Sequence, residues 1–134
     1  MLRPVTCIMG RGRHRILCRV FATAEGYIVH LLGGTRPHVG AIALGLPRPS
    51  LKGTHVSSTA SVLTLLGHKD DELARPAALS LAAALNAPVV VVAGVHVDDP
   101  GPGELLRLAT NARRAVWVAR QVLTRRPRNQ EPSK

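Results

Sequence analysis

The stretch that most constrains this chain is Val89-Val90-Val91-Val92-Ala93-Gly94-Val95-His96-Val97-Asp98-Asp99-Pro100. Four consecutive valines leave no position for water, so the run suits a strand covered on both faces, where β-branched side chains pack well on the pleat. It is expected to be the central strand of a sheet. Polar groups gather where the apolar run ends, and the carboxyl ends of helix-covered strands are where ligands bind in such sheets. His96 and Asp98 are therefore the first candidates for a site.

A chain of 134 residues is long enough for one two-layer core and too short for two. Cys7 and Cys18 form neither a zinc pattern nor a disulfide framework, and both lie in strand-like apolar surroundings where a reduced thiol acts as a small hydrophobe. Met1 to Gly10 has no apolar stretch of signal-peptide length, and no window approaches the roughly 18 apolar residues of a membrane span. A cytoplasmic protein is expected.

The net charge of +10, carried by 15 arginines and 3 lysines, raises nucleic acid as a partner. The distribution argues against it. Arg125, Arg126, Arg128 and Lys134 fall in a polar tail, residues 124–134, read as disordered, and the other basic residues are spread along the chain. Phe21, Tyr27 and Trp117 are the only aromatics of their kind, too few for a base-stacking platform.

Residues 3–9 are short and apolar, and Gly10-Arg11-Gly12-Arg13 then reads as a turn. Its GxG precedes no helical pattern, so it lacks the context of a dinucleotide fingerprint. Ile16–Phe21 and Tyr27–Leu32 read as strands joined across Ala24-Glu25-Gly26, a hairpin signal. Ala41–Leu44 reads as a third strand, Leu46–Ser50 as a loop, and Thr54–Leu65 as a fourth strand. Gly67–Glu72 opens a helix with the apolar face Leu73, Ala77, Leu81, Ala84 and Leu85, ending near Asn86. Pro76 implies a kink, a break, or a start delayed to Arg75. A second helix follows Asp99–Gly103 with the face Leu105, Leu108, Ala109, Ala112, Val116, Ala119 and Leu123. The expectation is one α+β domain over 1–123, in β-β-β-β-α-β-α order, with both helices on one face of a mixed sheet. Because two helices cover one face only, a homodimer or larger assembly is expected to bury the other, with Trp117 at a contact.

Gly33-Gly34-Thr35-Arg36-Pro37-His38 combines glycine amides, a fixed cation and a ligand-capable ring, which suits an anion, although it also suits a plain glycine hairpin. His38, His68 and His96 each sit at a strand-loop junction. Should those junctions converge, the three imidazoles with Asp98 or Asp71 would make a site for a divalent metal whose identity the sequence leaves open. His14, His30 and His55 carry no functional expectation. No Ser-His-Asp grouping, activated cysteine or paired-carboxylate site is evident, so no catalytic residue is named.

Three segments, Gly33–Leu44, Leu65–Arg75 and Val89–Asp98, resemble in the same order the small LpdD-like proteins found with UbiD-type decarboxylases and UbiX-type flavin prenyltransferases. The likeness covers about residues 13–122. It implies a non-enzymatic chaperone that carries reduced prenylated FMN, or FMN, from the prenyltransferase to the apo-decarboxylase. On that reading Gly33, Gly34, Thr35, Arg36, His38 and Lys69 bind the flavin, with the Gly33 and Gly34 amides and Arg36 on its phosphate, and a metal on His38, His68 and His96 bridges protein to ligand. Two other classes remain open: a small metal-dependent enzyme acting on a phosphorylated or carboxylated substrate, and a basic nucleic-acid-associated domain.

Overall fold

A computed structural model describes residues 3–65, 67 and 69–126. Six strands, β1 (Val5–Met9), β2 (Ile16–Ala22), β3 (Tyr27–Gly34), β4 (Ala41–Pro49), β5 (Val56–Thr64) and β6 (Val89–His96), form one sheet in the order β1-β2-β3-β6-β4-β5. Helix α1 (Asp71–Leu85) connects β5 to β6, and α2 (Glu104–Arg125) follows β6. The fold is α+β with a mixed sheet: β6 runs parallel to β3 and antiparallel to β4, and the remaining pairs are antiparallel.

The valine run occupies the interior of the sheet, as its composition requires. Val89, Val91 and Ala93 are fully buried, in register with Val29 and Leu31 of β3 and with Gly45, Ala43 and Ala41 of β4. On this face α1 lies over β4, β5 and β6, while α2 lies over β1 and β2 and packs against α1. Small residues allow that close approach: a Cβ on Gly45 would overlap the backbone carbonyl of Ala78, and Ala74, Ala78 and Ala82 of α1 are themselves fully buried.

Among the described residues the opposite face has no cover. Across it run the rows Ser61, Leu44, Val90, Ile28, Phe21 and Leu63, Ile42, Val92, His30, Arg19, Thr6. Ile28, Leu44 and Leu63 are exposed, and Val90 and Val92 only half-buried. Continuous apolar composition at 89–92 thus marks two apolar faces, of which the helices cover one.

Several elements differ from the sequence reading. The apolar segment ahead of the first turn is a paired strand, β1, so five strands precede α1. Strand β4 continues through Leu46-Pro47-Arg48-Pro49 instead of yielding to a loop. Its last residue paired to β6 is Gly45, so beyond it β4 has a single neighbour, the setting in which proline's missing N–H removes no ladder bond. Helix α1 starts at Asp71 with Pro76 inside it, neither delayed nor broken. Proline at that position forfeits the bond to the Glu72 carbonyl, in an exposed first turn that water can serve. Asn86, at φ 48°, ends α1 in the left-handed conformation asparagine tolerates. Helix α2 extends to Arg125, two residues into the segment read as a tail, and Leu105, expected on its buried face, is exposed.

Candidate functional site

The carboxyl end of β6 brings together residues from three segments: the loop after β3, the start of α1 and the turn after β6. Loop 35–40 is tied down first by its backbone. Thr35 and Arg36 donate their amides to the His96 carbonyl at 2.8 and 3.4 Å, and Gly40 donates to the Ala93 carbonyl at 2.9 Å. Gly94 makes the crossing possible, because a side chain there would occupy the space of the His38 backbone. Gly34, at φ +78°, takes a conformation that favours glycine and passes against His96, where a Cβ would overlap the carbonyl.

Two side-chain groups result. In the first, His38 Nε2 lies 3.0 Å from Asp70 Oδ2, His38 Nδ1 lies 3.0 Å from the Arg36 carbonyl, and Asp70 Oδ1 accepts the Val95 amide at 2.9 Å. Asp70 is 5% exposed and is the buried charged residue of the described chain. In the second, Arg36 donates to Asp98 Oδ1, and His96 Nε2 lies 2.9 Å from both Arg36 Nη2 and Asp98 Oδ1. As an acceptor that nitrogen takes the guanidinium N–H, and as a donor it serves the carboxylate. The His96 hydrogen bond holds the Asp98 carboxyl below its ordinary range; desolvation opposes it, and the charge and hydrogen bond of Arg36 add to the lowering. The two imidazoles meet edge to face with centroids 6.1 Å apart.

A third group flanks these at the start of α2. Glu104 accepts from His14 at 2.7 Å, from Arg13 and from the Gly101 amide, and Arg13 also donates to the Asp98 carbonyl at 2.7 Å. The Gly101 amide, then His14, lowers the Glu104 carboxyl from its ordinary range.

Of the residues expected from sequence, the fold unites His38, His96, Arg36, Thr35 and Asp98. Lys69 is exposed immediately before Asp70. His68 lies outside the described residues. Gly33 is buried within β3, paired to Ile16 and Val95. The Gly34 amide, expected with that of Gly33 to hold a phosphate, already donates to the Arg15 carbonyl, and the neighbouring amides of Thr35 and Arg36 donate to the His96 carbonyl. That leaves the Arg36 guanidinium, whose side chain is 64% exposed, as the cation this loop presents at the surface. The carboxylate partner of His38 is Asp70 and not Asp71, a distinction hidden in the sequence by the acidic run 70–72. Glu104, Arg13 and His14 were not singled out either, because their pairing joins residues about ninety positions apart.

The expected metal site is not supported. A ligating imidazole needs a bare ring nitrogen, and both nitrogens of His38 face protein oxygens. Among the described residues no group of three His, Cys, Asp or Glu side chains is placed to hold a metal ion.

Among the described residues no helix is long and apolar enough to cross a membrane. No curated protein matches this sequence. In fold the chain is similar to a chain in the crystal structure of a novel chaperone complex for yeast 20S proteasome assembly, with TM-score 0.56 and 11% identity, covering 90% of this chain and 97% of that one. At that identity the likeness concerns the fold alone. In sequence, residues 10–123 match the prenylated flavin chaperone LpdD-like domain. The match takes in every described element from the turn before β2 to the end of the buried part of α2, and the chain belongs to the LpdD-like family of prenylated flavin chaperones.

Proposed function

We propose that this protein binds reduced prenylated FMN at the carboxyl end of β6 and hands it, without chemical turnover, from a UbiX-type prenyltransferase to a UbiD-type apo-decarboxylase in the cytoplasm. The observation that carries the reading is the exposed guanidinium of Arg36, held beside His96 by Asp98 at the end of the central strand. A guanidinium presents a planar fork suited to phosphate oxygens, and the phosphate would compete with the Asp98 carboxylate for it. Lys69 adds a second cation near the start of α1. The family membership supports a flavin cargo, and the side chains at this end hold charge without any group placed as an activated nucleophile.

A carrier needs affinity and release, and no differential stabilisation of a transition state. Pairing Arg36 with an internal carboxylate suits release, since Asp98 retakes the cation when the phosphate leaves. The carrier works as a homodimer, in this reading, with the uncovered sheet face of each copy against the other.

The test is decarboxylase activation in an anaerobic mixture of prenyltransferase, flavin and apo-enzyme, with and without this protein. Faster or more complete activation with it is expected. Equal activation in both, or a flavin chemically altered by this protein alone, overturns the carrier reading. Hydrolysis of phosphorylated substrates by the purified protein would favour a small hydrolytic enzyme.

A further inference from the structure

We propose that the outward face of α2 is a docking surface for an acidic protein segment. The helix divides sharply. Leu108, Ala112, Ala115, Val116, Ala119 and Leu123 are buried against β1, β2 and α1, while Arg107, Arg113, Arg114, Trp117 and Arg125 stand exposed, with Arg120 partly so. Helical spacing places Arg113, Arg114, Arg120 and Gln121 around Trp117 at offsets of three and four residues.

Two independent features of this strip point to a partner. The first is uncompensated charge. None of Arg107, Arg113, Arg114, Arg120 and Arg125 lies against a carboxylate among the described residues, where the side chains that do are Arg13, His14, Arg36, His38 and His96. Glu104, the acid of this helix, is taken by Arg13, His14 and the Gly101 amide. The second is Trp117. It is the single tryptophan of the chain and is 59% exposed in the middle of the cationic strip. Tryptophan and arginine dominate the energetics of protein interfaces, tryptophan by filling a pocket and arginine by forking onto carboxylates.

The same observations select among polyanions. Trp117 is the one large aromatic ring of α2, too little for the stacking platform that a nucleic-acid strand uses. A membrane-surface helix needs a continuous apolar strip, whereas Trp117 and exposed Leu106 are separated by Thr110 and Arg113, about 16 Å apart along the axis. A protein surface with carboxylates around an apolar pocket answers both the arginines and the indole. Arg13, joined to Glu104 and to the Asp98 carbonyl, connects the start of α2 with the end of β6. Docking on α2 does not depend on what the Arg36 cluster binds.

Because Trp117 is the single tryptophan, its emission reports on this face alone. The full chain is titrated with a synthetic peptide of glutamate and aspartate interrupted by two leucines. Single-stranded DNA of equal charge and vesicles containing phosphatidylserine are titrated separately. A saturable blue shift with the peptide is expected, weakening about tenfold between low and moderate salt because the contacts are exposed charge pairs. The R113E/R114E variant should lose at least tenfold in peptide affinity while keeping its circular dichroism and thermal midpoint, with R113Q/R114Q as the replacement if the reversal does not fold. No emission change with the peptide, equal binding by the folded variant, or a tighter response to DNA or vesicles overturns the proposal.

Discussion

His38 Nε2 lies 3.0 Å from the buried Asp70 Oδ2, whose other oxygen accepts the Val95 amide, so one carboxylate joins the loop after β3, the start of α1 and the central strand. Replacing Asp70 by alanine leaves a buried N–H and an imidazole without their acceptor, at a cost of about 2–4 kcal/mol. Asp70→Asn keeps an acceptor for Val95 and should cost roughly half as much. Urea unfolding with a shared slope measures both, and equal stability of Asp70→Ala and the parent would show that the carboxylate is not a structural tie.

Gly94 and Gly40 make that junction possible. A methyl group on Gly94 would overlap the His38 carbonyl, and one on Gly40 would overlap the Asp70 carboxylate. Gly94→Ala should therefore displace loop 35–40 and weaken flavin binding at least tenfold, while substitution of Gly12, which meets nothing within 4 Å but holds φ at +55°, should leave binding intact and cost about 1 kcal/mol of stability. The two variants together separate loss of site geometry from loss of stability.

Arg36 and Asp98 make opposite predictions for an anionic ligand. Arg36→Ala removes the guanidinium and should weaken FMN or prenylated FMN binding by about 10- to 100-fold. Asp98→Asn removes its internal competitor and should tighten binding by about threefold. The pH dependence follows from the direction of the Asp98 shift. Its folded value lies below the ordinary 3.8, so the carboxylate's contribution is present above 3.8 and is lost as pH falls through the lower folded value. Carbon-detected titration of the Asp98 carboxyl should show a midpoint below 3.8, and a midpoint above it would remove the His96 and Arg36 contacts from solution.

How much of this was legible beforehand depends on whether the signal was local. The valine run announced the central strand because β-branched residues without polar alternation leave few other options, and Asn86 marked the end of α1 by its own conformational preference. Strand β1 was less visible, since five residues with a threonine and a terminal methionine are short for a strand pattern. The continuation of β4 through two prolines was masked by a composition that reads as loop, and becomes permissible only once β6 is known to end its pairing at Gly45. The convergence of Arg36, His38, His96 and Asp98 could be anticipated from their junction positions. Asp70's burial could not, because it depends on the Val95 amide reaching across from another element.

The cysteines supply a prediction about chemical inertness. Cys7 and Cys18 are opposite one another in the β1–β2 pair, both buried and both free thiols. Burial pushes the Cys18 thiol up to about 12, with Cys7 beside it adding to the rise, and burial also raises Cys7. Neither should react with a disulfide reagent at pH 8 until denaturant is added, when both should react. Rapid labelling of the native protein would mean that β1 opens readily from the sheet edge.

The uncovered sheet face carries the strongest prediction about assembly. Six strands spaced about 4.8 Å apart, with seven or eight residues rising about 3.3 Å each, present roughly 600 Å² on one face. Two copies face to face would then bury about 1,200 Å², at the lower end of what stable interfaces use. The rows through Leu44, Val90, Ile28 and Leu63, Ile42, Val92 supply the apolar centre. Arg19, stacked 5.6 Å over Phe21, can lay its stem on the face and carry its charge to the rim. Light scattering should give twice the 14.3 kDa chain mass at micromolar concentration. Leu44→Glu would set a charge in the middle of that interface and should return the protein to a monomer with its secondary structure intact, since Leu44 points away from the helices. A parent protein that is already monomeric, or a Leu44→Glu dimer as tight as the parent's, would mean that the face is left for a different partner.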